Sequence, residues 1–178
     1  MDSSLRGAGD NSPLTAFYRD GARDDRGRTL AEILAWDDER LEAIHDFIQW
    51  LFPLPERSGA NPSAPVLDRE TTEAFQTTPA MRERLEQAFQ RMLRFYGLRW
   101  NGTAVDRGEN FRERAQTWLW PGNHNHLRLT RILRSTVLLG LEAESKALFH
   151  ALDAIYREFP DRISSRTHAF WSDAAQNR

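Results

Sequence analysis

Between Trp36 and Pro53 the chain reads WDDERLEAIHDFIQWLFP, and this stretch restricts the fold more than any other. Leu41, Ile44, Ile48 and Leu51 recur at three- and four-residue steps, which lines them up on one face of an α-helix. Asp37 or Asp38 can cap its start and complement the positive end of the helix dipole. Pro53 stops it. The spacing therefore predicts one helix over 36–52. Asp38, Glu42, His45 and Gln49 form a second stripe, about 70° round from the apolar centre at roughly 100° per residue. Trp50 falls on the far side, where solvent is expected. Aliphatics on one side, a large aromatic on the other and polar groups between describe a helix packed on more than one side. Its polar stripe is then partly buried and needs partners.

A chain of 178 residues fits one domain with a sizeable core. The net charge of −2 argues against wrapping nucleic acid. The basic residues are 23 Arg and the single Lys146, which reads as a high-GC coding bias and a bacterial source. There are no cysteines, so disulfides, thiolate metal sites and a Cys nucleophile are excluded. The start, MDSSLRGAGDNSP, has no apolar centre and is not a signal peptide. No apolar run approaches the roughly 20 residues that span a bilayer. A cytoplasmic protein without a membrane or nucleic-acid partner is expected, and the oligomeric state is open.

Residues 1–12 read as a disordered arm. Leu14, Phe17 and Tyr18 fit a short helix that pins it to the core. Residues 19–28 are a charged loop, and Thr29 caps a short helix, LAEIL. Residues 53–67 hold four prolines and one glycine, so they form neither helix nor central strand. A loop this long is either packed beside a site or wrapped over the surface. A short helix follows at 68–76. Thr77 or Thr78 then caps a long one that buries Met81, Leu85, Ala88, Phe89, Met92 and Phe95 and stops at Gly97. Asn101-Gly102 permits either a small hairpin or a plain loop. Asn110 caps FRERAQTWLW, and Asn123 caps a helix over 124–139 that Gly140 ends. Further helices run from 141 to 159 and from Ser164 or Ser165 onward. Together these predict an all-α fold: one compact domain, residues 13–176, of seven to nine helices of unequal length.

WDDERLEAIHDFIQWLFPLPE, with HNHLRLTRILRS and the glycine-ended turn after it, resembles the conserved N-terminal region of the opioid growth factor receptor family. The first block of that pattern falls on Trp36, Leu41, Glu42, His45, Ile48 to Pro53, Pro55, Glu56 and the loop through Pro65. The second falls on His124, Asn125 and Leu127 to Leu133. The likeness covers about residues 14–172. It implies this fold and a set of candidate residues, but no reaction. The animal receptors bind an enkephalin peptide, act on cell proliferation at the nuclear envelope and carry long C-terminal extensions. A bacterial-type single-domain member is expected here, without a peptide-hormone role.

Three constellations could carry chemistry. Glu42 and His45 form a Glu-x-x-His pair, a spacing that di-iron bundles use twice and that occurs here once. It is either a hydrogen-bonded core pair or part of a ligand, catalytic or metal site. His124, Arg128 and Arg131 share a helix face that Ser135 continues. His124 and Asn125 lie in the first turn, where backbone N–H groups favour an anion. The two arginines can hold a carboxylate or phosphate, or can pair with Asp38, Glu42 or Glu113. His124 and His126 diverge on a helix, so no metal is assigned, and no cofactor is implied. Trp118 and Trp120, two apart at a helix end, cannot both face one core, so one lines a pocket or a partner surface. No serine sits in a nucleophile elbow, and no phosphate loop or dinucleotide fingerprint is present.

The expected function is binding of a small anionic molecule or peptide between the 36–52 and 124–139 helices. Glu42, His45, Gln49, His124, Asn125, Arg128 and Arg131 would supply the site, with Trp50 and Asn61 at its rim. An enzyme using His45 or His124 as general base is a second reading. An interaction module with an exposed Trp patch is a third.

Overall fold

In the computed structural model, which describes residues 12–176, helices follow the apolar periodicity through most of the chain. The expected arm lies outside the described residues, apart from Ser12. α1 (Pro13–Arg19) buries Leu14, Phe17 and Tyr18 completely. α2 (Leu30–Leu34) opens on a capping box. The Thr29 hydroxyl accepts from the Glu32 backbone N–H, and the Glu32 carboxylate accepts from that of Thr29.

The single helix expected over 36–52 is two helices, α3 (Asp38–Ala43) and α4 (Ile48–Leu51). The Asp37 carboxylate caps the first by accepting from the Arg40 N–H at 2.8 Å. At Ile44 the backbone turns extended, φ −100° and ψ 132°. No Pro or Gly marks the break. Ile44, His45 and Asp46 are weak helix formers, and the Leu41 and Ile44 carbonyls are taken by Arg128 from α8 (Asn125–Leu138), at 3.0 and 2.8 Å. The apolar face survives the break, with Leu41, Ile48 and Leu51 buried. Trp50 does not face solvent. It is 4% exposed, packs on Phe17 with ring centroids 5.3 Å apart, and donates its indole N–H to Asp25 at 2.9 Å.

Residues 53–67 are packed rather than draped. Leu67 N–H closes on Leu54 O at 2.9 Å, Asn61 Nδ2 donates to Asp46 O at 2.9 Å, and Ser63 Oγ donates to Asp25 at 2.6 Å. Asp25 thus ties the charged 19–28 loop to both α4 and the Pro-rich loop. The same loop holds Arg28 between Asp24 and Asp46, at 2.7 Å from each.

α5 (Arg69–Thr77), capped by Asp68, leads directly into α6 (Pro79–Phe95). α6 packs against α1, α2, α5 and the hairpin, and it buries every apolar residue its period predicts. The hairpin forms: β1 (Leu98–Trp100) pairs antiparallel with β2 (Val105–Arg107), Leu98 opposite Arg107. The Asn101 carbonyl oxygen closes the turn by accepting from the N–H groups of Thr103 and Ala104. α7 (Phe111–Trp118) then precedes α8, α9 (Glu142–Glu158) and α10 (Ser165–Gln176), and the last three pack on one another. Thr78 and Asn110 make no side-chain cap. Among the described residues this gives ten helices and one two-stranded sheet. The all-α single domain is as expected, and the divided central segment helps to raise the count above seven to nine.

Gly97 joins α6 to the hairpin at φ +76°, and a Cβ there would meet the Phe111 Cα at 2.7 Å. Gly122 has the same φ but nothing within 4 Å. Gly97→Ala is expected to cost about 3 kcal/mol or more, left-handed strain plus overpacking. Gly122→Ala should cost about 1–2 kcal/mol, strain alone. Urea denaturation of the two variants measures the difference.

Candidate functional site

α8 is set in place from its first turn. Asn123 Oδ1 accepts from the Asn125 N–H at 2.8 Å, while its side-chain Nδ2 donates to Thr117 O at 2.9 Å. From there Arg128, Arg131 and Ser135, three and four residues apart, face the 41–53 segment. Arg128, 5% exposed, spreads its guanidinium over four acceptors. Besides Leu41 O and Ile44 O, these are Asn125 Oδ1 at 3.3 Å and His45 Nδ1 at 3.0 Å. Arg131 donates to Phe52 O at 3.0 Å and Ser135 Oγ to Pro53 O at 2.9 Å. Burial pulls both guanidinium groups below their ordinary pKa, with Glu42 opposing this at Arg128 and Glu56 at Arg131.

Glu42 stands beside this network. One of its oxygens accepts from Asn125 Nδ2 at 3.0 Å and lies 3.9 Å from Arg128. The other is 3.3 Å from His124 Nε2, but the two are not aligned, and that buried nitrogen makes no hydrogen bond among the described residues. Asp38, another expected partner for the α8 arginines, pairs with Arg91 at 2.8 Å and Arg114 at 3.5 Å instead. The His45 and His124 rings meet edge to face, centroids 5.0 Å apart. Since an arginine can only donate, His45 Nδ1 is the acceptor and its ring proton sits on Nε2. His126 points the other way, its Nε2–H donating to Trp118 O at 3.0 Å. Among the described residues no three His, Asp or Glu side chains gather as metal ligands.

A groove of about 370 Å³ runs between the 45–60 segment and α8. His45, Gln49, His124, Arg128 and Arg131, five of the nine residues singled out in the sequence, line it. Glu42 and Asn125 lie behind it, holding Arg128. Trp50 and Asn61 are not at its rim, because both are 4% exposed and spent on Asp25 and Asp46. Ile48, Leu54, Ser58, Ala60, Leu127, Thr130 and Arg134 complete the lining. Leu127, Thr130 and Arg134 continue the face of Arg131 at steps of three and four, a signal present in the sequence. Gln49 is 4% exposed. Its amide donates to Ser58 Oγ at 3.3 Å, while its carbonyl oxygen is buried with no donor among the described residues.

Residues 22–158 match the family described as the opioid growth factor receptor (OGFr) conserved region. This chain belongs to that family. The human opioid growth factor receptor is 42% identical over 139 residues, 74% of this chain and 20% of that protein. Opioid growth factor receptor-like protein 1 of Xenopus tropicalis is 43% identical over 122 residues, 65% of this chain and 23% of that protein. The chain thus spans about a fifth of the length of these curated relatives. No solved structure matches it. Among the described residues of this OGFr conserved region no helix is long and apolar enough to cross a membrane.

Two outcomes follow from the network. Arg128→Lys is expected to cost about 2–4 kcal/mol, because a point-charge ammonium cannot span four acceptors and leaves buried carbonyls unpaired. Chemical denaturation checks this. The second concerns pH. Burial lowers His124 and His126 below the ordinary 6.5, aided at His124 by Arg128 and His45 and resisted there by Glu42. Below about 6.5 the unfolded chain holds more protons than the folded one, so stability is full above that value and falls as pH drops through the folded values. The Tm should therefore decline on acidification, and His126→Gln, whose amide can still donate to Trp118 O, should flatten that decline.

Proposed function

We propose that this OGFr-type domain binds a small anionic molecule or peptide in the groove between the 45–60 segment and α8. The observation that carries the reading is Gln49, a residue that lines the same groove as Arg131 and Arg134 and whose buried carbonyl oxygen has no donor among the described residues. A buried acceptor left empty costs about 1–3 kcal/mol, and a ligand N–H or O–H would recover that. Arg131 spends NH1 on Phe52 O and Arg134 pairs through NH2 with Glu56 at 2.5 Å, so their remaining N–H groups supply the cationic side. Ile48, Leu54 and Leu127 offer apolar contact, Leu127 being 71% exposed. Arg128 orders the wall from behind rather than gripping the ligand. The domain is further taken as cytoplasmic and bacterial, on composition: 23 Arg against one Lys, and no Cys.

The enzyme reading loses its first candidate base. His45 presents Nε2–H outward and its lone pair to Arg128, which makes it a donor. Binding is therefore the better reading, and NMR tests it. Titrating the labelled domain with citrate and, separately, with a short Glu-rich peptide should shift the Gln49 side-chain amide and the His45 and His124 rings. Gln49→Leu and Arg134→Gln should each weaken the response about fivefold to tenfold, one hydrogen bond or charge contact apiece. Shifts spread over the whole surface, or unchanged by either variant, would remove the proposal.

A further inference from the structure

A second cavity lies apart from the α8 groove, and it is where the Trp118–Trp120 puzzle resolves. Trp118 is fully buried, while Trp120 is 45% exposed and forms one wall of a cavity of about 680 Å³. That volume falls in the range of roughly 300–1,000 Å³ usual for small-molecule sites. Ala115 of α7, a small residue between Phe111 and Leu119 on the same helix face, lines it. Phe159, at the end of α9, lines it too.

The charge in this cavity is lopsided. Arg107 is already committed: it pairs with Glu158 and lies over the Phe111 ring at 4.6 Å and the Phe159 ring at 6.0 Å. Arg112 and Arg162, both exposed, border the same space, and neither pairs with a carboxylate among the described residues. Three guanidinium groups thus face one carboxylate, beside three six-membered aromatic rings. Flat apolar walls select a flat ring, and two uncommitted forked cations select an anion that accepts in pairs.

We propose that this cavity binds a small planar aromatic carboxylate, its ring on Trp120 above Ala115 and its carboxylate between Arg112 and Arg162. The α8 groove has no Phe, Tyr or Trp in its lining, only two imidazole rings set edge to face, so the two sites take different ligands. The proposal does not depend on the function assigned to that groove.

Isothermal titration calorimetry of the whole chain with naphthoate, and with neutral naphthalenemethanol of similar size, tests it. Naphthoate should bind saturably, and the alcohol at least about tenfold more weakly for want of the forked contact. Arg112→Gln and Arg162→Gln should each cost about fivefold to tenfold, and Trp120→Ala about tenfold. Ala115→Leu should abolish binding by filling space in the cavity. Arg134→Gln, in the other groove, should change nothing. Absence of saturable binding, equal binding of the alcohol, or indifference to the arginine variants overturns the proposal. So does loss of binding in Arg134→Gln with Arg162→Gln unaffected, which would place naphthoate in the other groove.

Discussion

One guanidinium holds the centre of this domain together. When the chain leaves helical geometry at Ile44, the carbonyls of Leu41 and Ile44 lose their helical partners in a place water reaches poorly. Each unpaired carbonyl there costs about 1–3 kcal/mol. Arg128 answers both at once and adds Asn125 and His45, with the Phe47 ring 5.5 Å from its centre. Its nearest carboxylate, Glu42, stands 3.9 Å away. Dipoles of fixed carbonyls, more than a direct counter-ion, therefore repay the desolvation of this cation. A planar fork with five donors suits that task, and a compact ammonium does not.

The same arrangement repeats along α8. Arg131 takes Phe52 O, Ser135 takes Pro53 O, and between them the Leu133 carbonyl accepts from Ser145 of α9 at 2.8 Å. On its other side α8 receives the Trp171 indole at His126 O, 3.0 Å away. A helix tied to irregular backbone on one side and to α9 and α10 on the other has little freedom to rotate or slide. Arg131, which lines the groove, is thus held by contacts that also maintain the fold. A groove built this way is preorganised, and binding there need not bear the entropy of ordering its walls.

Much of the architecture was legible in the sequence because caps, breakers and periodicity act locally. Thr29, Asp37 and Asn123 cap as their chemistry demands, Gly97 takes the left-handed turn, and the buried face of α6 falls on its period. The break at Ile44 was not legible. Its cause is Arg128, some 84 residues downstream, and no local pattern encodes a partner so distant. The apolar face also continues across the break, so periodicity gave no warning. Trp50 was misplaced for the same reason: Asp25, from a loop that reads as solvent-facing charge, covers its indole. The α8 arginines, which the sequence offers either as anion ligands or as partners for carboxylates, also serve as backbone ligands: Arg128 and Arg131 donate to the carbonyls of Leu41, Ile44 and Phe52, which no pattern on their own helix reveals.

The end of α7 shows how far a purely local argument can reach. Two tryptophans two residues apart must diverge, and the core decides which one it keeps. Trp118 donates to Tyr96 O at 3.1 Å and meets the Tyr96 ring edge-on at 5.6 Å. Beyond it His126 continues the aromatic seam to Trp171. A residue engaged on this many sides fixes the last turn of α7. Trp120 follows two residues later, donating to Thr117 O, and so its ring is presented outward from a rigid base. An exposed aromatic on a mobile loop would be unremarkable surface. Held by a fully buried neighbour, in a lining shared with Ala115 and uncommitted arginines, it has a defined position, and defined position is what separates a binding surface from an accident of composition.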